Sequence, residues 1–339
     1  MLSIGAVWDA GVFGVDLFFV LSSFLITRLL LAEQAVGGIS IGNFYLRRVL
    51  RIWPLYFGFL TALWALAHFA GLDPIASGYW AAFFLLVGNW ACVVWGYPHS
   101  GIAPLWSVCV EEQFYLLWPF CVKFLSRRGF VGMCVGLLVV SMVVKVGLAA
   151  FGAVHPAAWN NSLGRLEPIA LGALLACRPT LTAPAREGGL WLRLIAACCL
   201  LVIANAYFPW DRMSLGSALL TYPAAALASA VFVRVALQSR GLLCQVLSIR
   251  PMVYLGRISF GLYVFHLFVL QHFAPAVRDY LLVRAGRATG PGGLAGLLLY
   301  SILACGLTLL LAVISYEFVE KRFLWLKLRF TRIESRPGG

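Results

Sequence analysis

Phe130-Val131-Gly132-Met133-Cys134-Val135-Gly136-Leu137-Leu138-Val139-Val140-Ser141-Met142-Val143-Val144-Lys145-Val146-Gly147-Leu148-Ala149-Ala150-Phe151-Gly152 is apolar on every helical face, and its one charge is Lys145. A helix needs about 20 such residues to cross the hydrocarbon core of a bilayer. A membrane β-strand would instead alternate in ~10-residue units, and no alternation is present. Similar runs lie near 12–32, 50–70, 80–97, 104–125, 164–177, 190–208, 216–236, 254–276 and 294–318. The pattern predicts an all-α polytopic integral membrane protein.

Composition agrees. Of 339 residues, 62% are hydrophobic and 12% charged, against about 45–50% and about 25% in soluble domains. With a mean hydropathy of +0.91, these values exclude a soluble enzyme, a disordered chain and a disulfide scaffold. The net charge of +13 fits cytoplasmic loops facing anionic membrane lipids and gives no reason to expect nucleic acid. Nine cysteines are scattered without ligand spacing. They read as small core residues, and no metal is expected.

Lysine and arginine collect on the cytoplasmic side and so orient the spans. Arg47, Arg48 and Arg51 precede the second run, and Lys123, Arg127 and Arg128 follow the fourth. Arg178, Arg186 and Arg193 separate the sixth from the seventh; Arg234, Arg240, Arg250 and Arg257 separate the eighth from the ninth. Lys321, Arg322, Lys327, Arg329 and Arg332 follow the last. All five clusters share one side if the run at 80–97, interrupted by Gly88, Asn89 and Trp90, is a short re-entrant or interfacial segment. The expectation is about nine crossings plus that segment, with residues 1–320 as the membrane domain and 321–339 as a basic cytoplasmic tail. Arg278, Arg284 and Arg287 fall on the outer side; either the topology slips there or they serve an external ligand. Residues 1–10 show no basic n-region or cleavage site, so no signal peptide is expected. An outside N-terminus leads us to expect one more helix ahead of Met1.

Charge inside a bilayer is costly, which makes each such residue a candidate. Asp16 lies near the outer end of the first run, with Ser23 seven residues on along the same face. It is a cap, a partner for an arginine, or a functional carboxylate. Arg48 and Arg51 point the same way on a helix. Together with Arg47, Tyr45 and Trp53 they read as a bidentate phosphate clamp, although any one alone is explained as a positive-inside anchor. Pro54 suits the first turn of the following span. Pro104 opens a helix on which Ser107, Glu111, Tyr115 and Trp118 form one polar–aromatic stripe. Glu111 lies ~10 Å inside it, and Glu112 is turned about 100° away. Two adjacent carboxylates within a span are hard to explain as packing. Glu111 is therefore the leading catalytic candidate, with Ser107 and Tyr115 as substrate contacts. Arg165 and Glu167 open the sixth run as a local ion pair or as substrate contacts. Ser259, Tyr263 and His266 share a face, so His266 is either a core donor or a second base. Lys145 needs a carboxylate partner that the sequence does not name.

Gly14-Val15-Asp16-Leu17-Phe18-Phe19-Val20-Leu21, Arg48-x-x-Arg51-Ile52-x-Pro54, Trp106-Ser107-Val108-x-Val110-Glu111-Glu112-Gln113-Phe114-Tyr115, Ile258-Ser259-x-x-Leu262-Tyr263-x-x-His266 and Ser315-Tyr316-x-x-Val319-Glu320 follow one another along the chain. In order and spacing they resemble the membrane acyltransferase-3 family, which includes O-antigen and exopolysaccharide O-acetylases. The resemblance covers nearly the whole chain. It implies a ten-helix enzyme of the bacterial inner membrane, moving an acyl group, usually acetyl, from cytoplasmic acyl-CoA to a hydroxyl of a cell-surface or exported glycan. Arg48 and Arg51 match its Arg-x-x-Arg motif on the acyl-CoA side, and Glu111 matches its Val-Glu carboxylate. The family's first helix, with its Arg and His, would stand before Gly11-Val12-Phe13-Gly14. Ser22-Ser23-Phe24 replaces the usual Ser-Gly-Phe, where Gly permits close packing.

Acyl transfer needs a base for the hydroxyl, a donor for the oxyanion, and a held thioester. The resemblance puts the CoA phosphates on Arg48 and Arg51 and brings the acceptor in from the outer face near Asp16. The base is then Glu111, His266 or, as favoured here, a residue ahead of Met1. The rival expectation is a catalytically inactive binding or transport protein on the same scaffold.

Overall fold

A computed structural model describes residues 12–72, 74–178, 186–273 and 291–330, with only the backbone of 291–297 and of 328. Residues 1–10, the arginines Arg278, Arg284 and Arg287, and the tail beyond 330 lie outside the described residues. Every regular element among the described residues is helical, as the runs predict.

In chain order the helices are α1 (Gly14–Val36), α2 (Ile41–Ala70), α3 (Ser77–Phe84), α4 (Gly88–Trp95), α5 (Trp106–Phe124), α6 (Arg127–Ala150) and α7 (His155–Asn160). They continue as α8 (Leu166–Ala176), α9 (Glu187–Tyr207), α10 (Tyr222–Gln238), α11 (Leu242–Ser248), α12 (Arg250–His272), α13 (Pro291–Ser315) and α14 (Lys321–Leu328). Among the described residues, seven helical stretches are long and apolar enough to cross a membrane: Gly14–Val36, Ile41–Ala70, Arg127–Ala150, Glu187–Tyr207, Ser217–Gln238, Arg250–His272 and Leu298–Lys327. A count of nine requires α5 and α8 to cross as well. The 19 residues of α5 span ~28 Å but carry Glu111 and Glu112; the 11 residues of α8 span only ~16 Å.

The segment at 80–97 is not one helix. It divides into α3 and α4, each of eight residues and ~12 Å, too short to cross alone. At the break, Leu86 adopts φ 58°, a left-handed conformation that costs a non-glycine residue about 1–3 kcal/mol. Amide and hydroxyl side chains hold it there. Gln113 of α5 donates to the Leu86 carbonyl (3.0 Å) and to Asn89 Oδ1 (2.9 Å). Asn89 in turn donates to the Asn160 carbonyl and to Ser162, and Ser162 donates back to Gln113.

One expected boundary is corrected. Arg47, Arg48 and Arg51 do not precede the second span, and Pro54 does not open it; all four lie inside α2, which begins at Ile41. Phe44, Arg47, Arg48, Ile52 and Leu55 form a continuous buried face there. A charge marks the edge of an apolar run, but helical backbone carries on wherever a neighbouring helix can cover it. Pro54 removes one backbone hydrogen bond, a loss that spans tolerate. The described start of the C-terminal segment is also helical: α14 packs on α2, and Arg47 donates to the Phe330 carbonyl (2.9 Å).

The core lies where α1, α2, α5, α6 and α8 meet. Its tightest contact is between α1 and α8. A Cβ on Gly172 would fall 2.1 Å from Ser23 Oγ and 2.2 Å from the Val20 carbonyl oxygen. The close approach that the resemblance assigns to position 23 is supplied here by the glycine opposite. We therefore expect Gly172→Ala to abolish the folded, detergent-soluble protein, because the obstruction is backbone and cannot rotate away. Size-exclusion profiles of a fluorescent fusion read this directly; a monodisperse peak at wild-type yield would contradict it.

Candidate functional site

Three helices bring the strongest sequence candidates to one place. Glu111, on α5, is 4% exposed. Its carboxylate accepts hydrogen bonds from Ser22 Oγ of α1 and from Tyr115 OH one turn along α5. Ser22 Oγ and Tyr115 OH are themselves 2.7 Å apart. Arg48 of α2 lays its guanidinium over the Tyr115 ring (5.6 Å) and the Phe44 ring (5.8 Å). It is buried, and its Nε has no hydrogen-bond partner among the described residues. Both Arg48 and the exposed Arg51 lie within electrostatic range of Glu111. The co-facial arginines and the α5 carboxylate are thus one locus.

Arg47 is not part of it. It is turned about 100° from Arg48 round α2 and pairs with Glu33 at 2.5 Å, both groups fully buried. The rest of the α5 stripe serves neighbouring helices. Ser107 Oγ lies 2.6 Å from Tyr263 OH, and Tyr263 also donates to the Pro104 carbonyl (2.7 Å). Trp118 Nε1 donates to Thr27 of α1 (2.8 Å). Glu112, turned away as expected, accepts from Trp53 Nε1 (3.0 Å).

Ser259, Tyr263 and His266 do not act as a set. Tyr263 faces Ser107, but Ser259 is exposed and donates to the Gly256 carbonyl. His266 Nδ1 lies 2.6 Å from the carbonyl of Tyr263, one turn back on its own helix. The structure therefore brings Tyr263 toward the α5 locus and leaves His266 outside the Glu111 contacts.

A second gathering lies toward the start of α1. Asp16 Oδ1 pairs with Arg165 at 3.1 Å, both side chains almost fully buried. Arg165 packs over the Trp159 ring at 4.2 Å. Arg165 and Glu167 are accordingly not a local ion pair. Glu167 takes Lys145 of α6 as its partner, and this supplies the carboxylate that Lys145 required.

The sequence reading missed Ser22. It placed Ser23 on the Asp16 face, which is correct, but that face packs on α8, and the neighbouring hydroxyl, turned about 100° round the helix, meets Glu111. The available signal was the spacing itself: Asp16 and Ser22 lie ~9 Å apart along α1 and point to different partners.

Residues 2–317 match the family model described as an acyltransferase domain, the acyltransferase-3 family. The peptidoglycan O-acetyltransferase OatA of Listeria monocytogenes is 24% identical over 338 residues, covering 92% of this chain and 51% of that protein. The O-acetyltransferase OatA of Staphylococcus aureus is 27% identical over 349 residues, covering 94% and 53%. The chain thus spans about half the length of the curated relatives it matches. No solved structure matches it.

The Lys145–Glu167 pair is a test of structural charge. Removing one partner of a buried pair strands the other and costs about 3–5 kcal/mol, whereas replacing both with apolar groups is often near neutral. Lys145→Met should lower the thermal unfolding midpoint in detergent strongly, and Lys145→Met/Glu167→Leu should recover most of the loss. Equal destabilisation by the single and double variants would show that the two groups are not coupled.

Proposed function

This chain belongs to the acyltransferase-3 family, and on that footing we propose that it is an O-acyltransferase of the bacterial cytoplasmic membrane. In this reading it crosses the membrane nine times. It moves an acyl group, acetyl in the first instance, from acyl-CoA to a hydroxyl of an exported glycan, with peptidoglycan as the first acceptor to test. The observation that carries this is a buried carboxylate surrounded by hydroxyls: Glu111 with Ser22 and Tyr115, under the guanidinium of Arg48.

The residues divide the work by their surroundings. Arg51, exposed three residues from Arg48, meets the CoA phosphates. Arg48 holds the inner part of the donor, and its free Nε donates to the thioester oxygen as negative charge develops there. Glu111 takes the hydroxyl proton; such general-base action contributes about 10²–10⁴-fold. The acceptor approaches from the Asp16–Arg165 end of α1, past Tyr263 and Ser107. Asp16 and Arg165 organise that entrance as a pair.

Charge-assisted hydrogen bonds contribute about 1.5–3 kcal/mol each. Arg48→Ala or Arg51→Ala should therefore weaken acetyl-CoA binding by about 10–150-fold, and Lys at either site should rescue only in part, since a point charge cannot fork. Glu111→Gln should leave binding intact and remove transfer. Calorimetry with acetyl-CoA on purified protein, and glycan O-acetylation in cells at matched membrane levels, separate the two effects. Unchanged acetyl-CoA affinity in the double arginine variant would overturn the reading.

A further inference from the structure

Ser22 is the residue at the locus to which neither the family motifs nor the charge pattern assigns a role. Its Oγ contacts the Glu111 carboxylate and lies 2.7 Å from Tyr115 OH. Of these three groups it is the least enclosed: Glu111 is 4% and Tyr115 3% exposed, whereas Ser22 is half-buried. A hydroxyl bonded to a buried carboxylate, beside a guanidinium with an unpartnered Nε, has the parts of an activated oxygen nucleophile: nucleophile, base and oxyanion donor.

We propose that Ser22 is a covalent acyl carrier, so that transfer runs in two steps through an acyl-serine on α1. This rests on the acyl-CoA reading above. In the first step Ser22 Oγ attacks the thioester carbonyl and its proton passes to Glu111. The C–S bond breaks, and CoA leaves as the thiolate, which takes the proton back. In the second step the acceptor hydroxyl gives its proton to Glu111 and attacks the acyl-serine carbonyl. The Ser22 ester bond breaks, and the proton returns to Ser22 Oγ. No redox change and no further reactant is involved.

The enclosure of the locus favours this order. Glu111 and Tyr115 are both almost fully buried, and a covalent carrier needs only one substrate at them at a time. Position on the helix agrees. Ser22 lies ~9 Å from Asp16 and ~21 Å from Val36 at the far end of α1, and both ends of the helix carry buried ion pairs that fix its height.

The test is trapping. Purified protein is incubated with radiolabelled acetyl-CoA in the absence of acceptor, quenched in acid, digested, and the α1 peptide is examined by mass spectrometry. An acetyl group on Ser22 is expected, chased off by chito-oligosaccharide as a probe acceptor. Ser22→Ala should keep the detergent size-exclusion peak, bind acetyl-CoA within about twofold of wild type, and lose label and transfer by a hundredfold or more. Ser22→Cys should carry label as a thioester that neutral hydroxylamine removes, an outcome that a merely positioning hydroxyl could not give. If wild type binds acetyl-CoA and transfers acetyl groups but the label is absent, or sits on Tyr115, the carrier role is overturned and the acyl-CoA reading stands. If wild type does not bind acetyl-CoA, both fall together.

Discussion

The site depends on a contact with no chemistry of its own: the backbone of α1 at Val20 pressed against Gly172 of α8. With no side chain at 172, the two helices approach more closely than any other residue there would allow. They run in the same direction, so the contact fixes their relative height, and Asp16 then meets Arg165 while Phe24 meets Leu175. Fixing one face of α1 also fixes the next. Ser22, turned about 100° from Ser23, then reaches Glu111 of α5.

The buried charges fall into two kinds. Asp16 with Arg165, Glu33 with Arg47, and Lys145 with Glu167 are ion pairs between different segments of the chain. In a low-dielectric interior an uncompensated charge is costly and a paired one approximately breaks even, so these pairs mainly specify which segments meet. Glu111 is of the other kind. Among the described residues no cation reaches ion-pair distance of it; its Oε1 is met by two hydroxyls, which can give up or accept a proton. Arg48 is likewise held by rings, an arrangement that keeps the guanidinium in place without neutralising it. A carboxylate and a guanidinium kept near each other but apart are free to act on something that comes between them.

The helices were legible because period and length are local properties of the chain. Gly88-Asn89-Trp90 was enough to show that 80–97 is broken, and the rarity of charge made Asp16, Arg48, Glu111 and Lys145 stand out. The partners were not legible. Arg165 and Glu167, two residues apart, pair with helices 149 and 22 positions away, and nothing in the local pattern says which. The start of α2 was misread for a related reason: its arginines looked as if they preceded the span because the residues that bury them come from elsewhere. Ser22 was passed over because a hydroxyl in an apolar run is unremarkable until a carboxylate is found opposite it.

Gln113, Asn89, Asn160 and Ser162 were equally silent in sequence, yet they bear on the site as much as any charge. Gln113 lies two positions after Glu111, about 200° round α5, so the helix is gripped on nearly opposite sides: by the amide network on one, and by Ser22 with Arg48 on the other. A helix held on one side can roll, and a small roll carries a carboxylate oxygen through ~1 Å. Displacement of that size costs about 10²-fold in reactions that depend on alignment. The broken segment α3–α4, with its strained Leu86, is where the network is anchored. Its left-handed residue is kept because the carbonyl it presents is the one Gln113 needs. A continuous helix in its place would satisfy its own carbonyls and leave the Gln113 amide without that acceptor. The broken segment α3–α4 is in this way what stops α5 from turning.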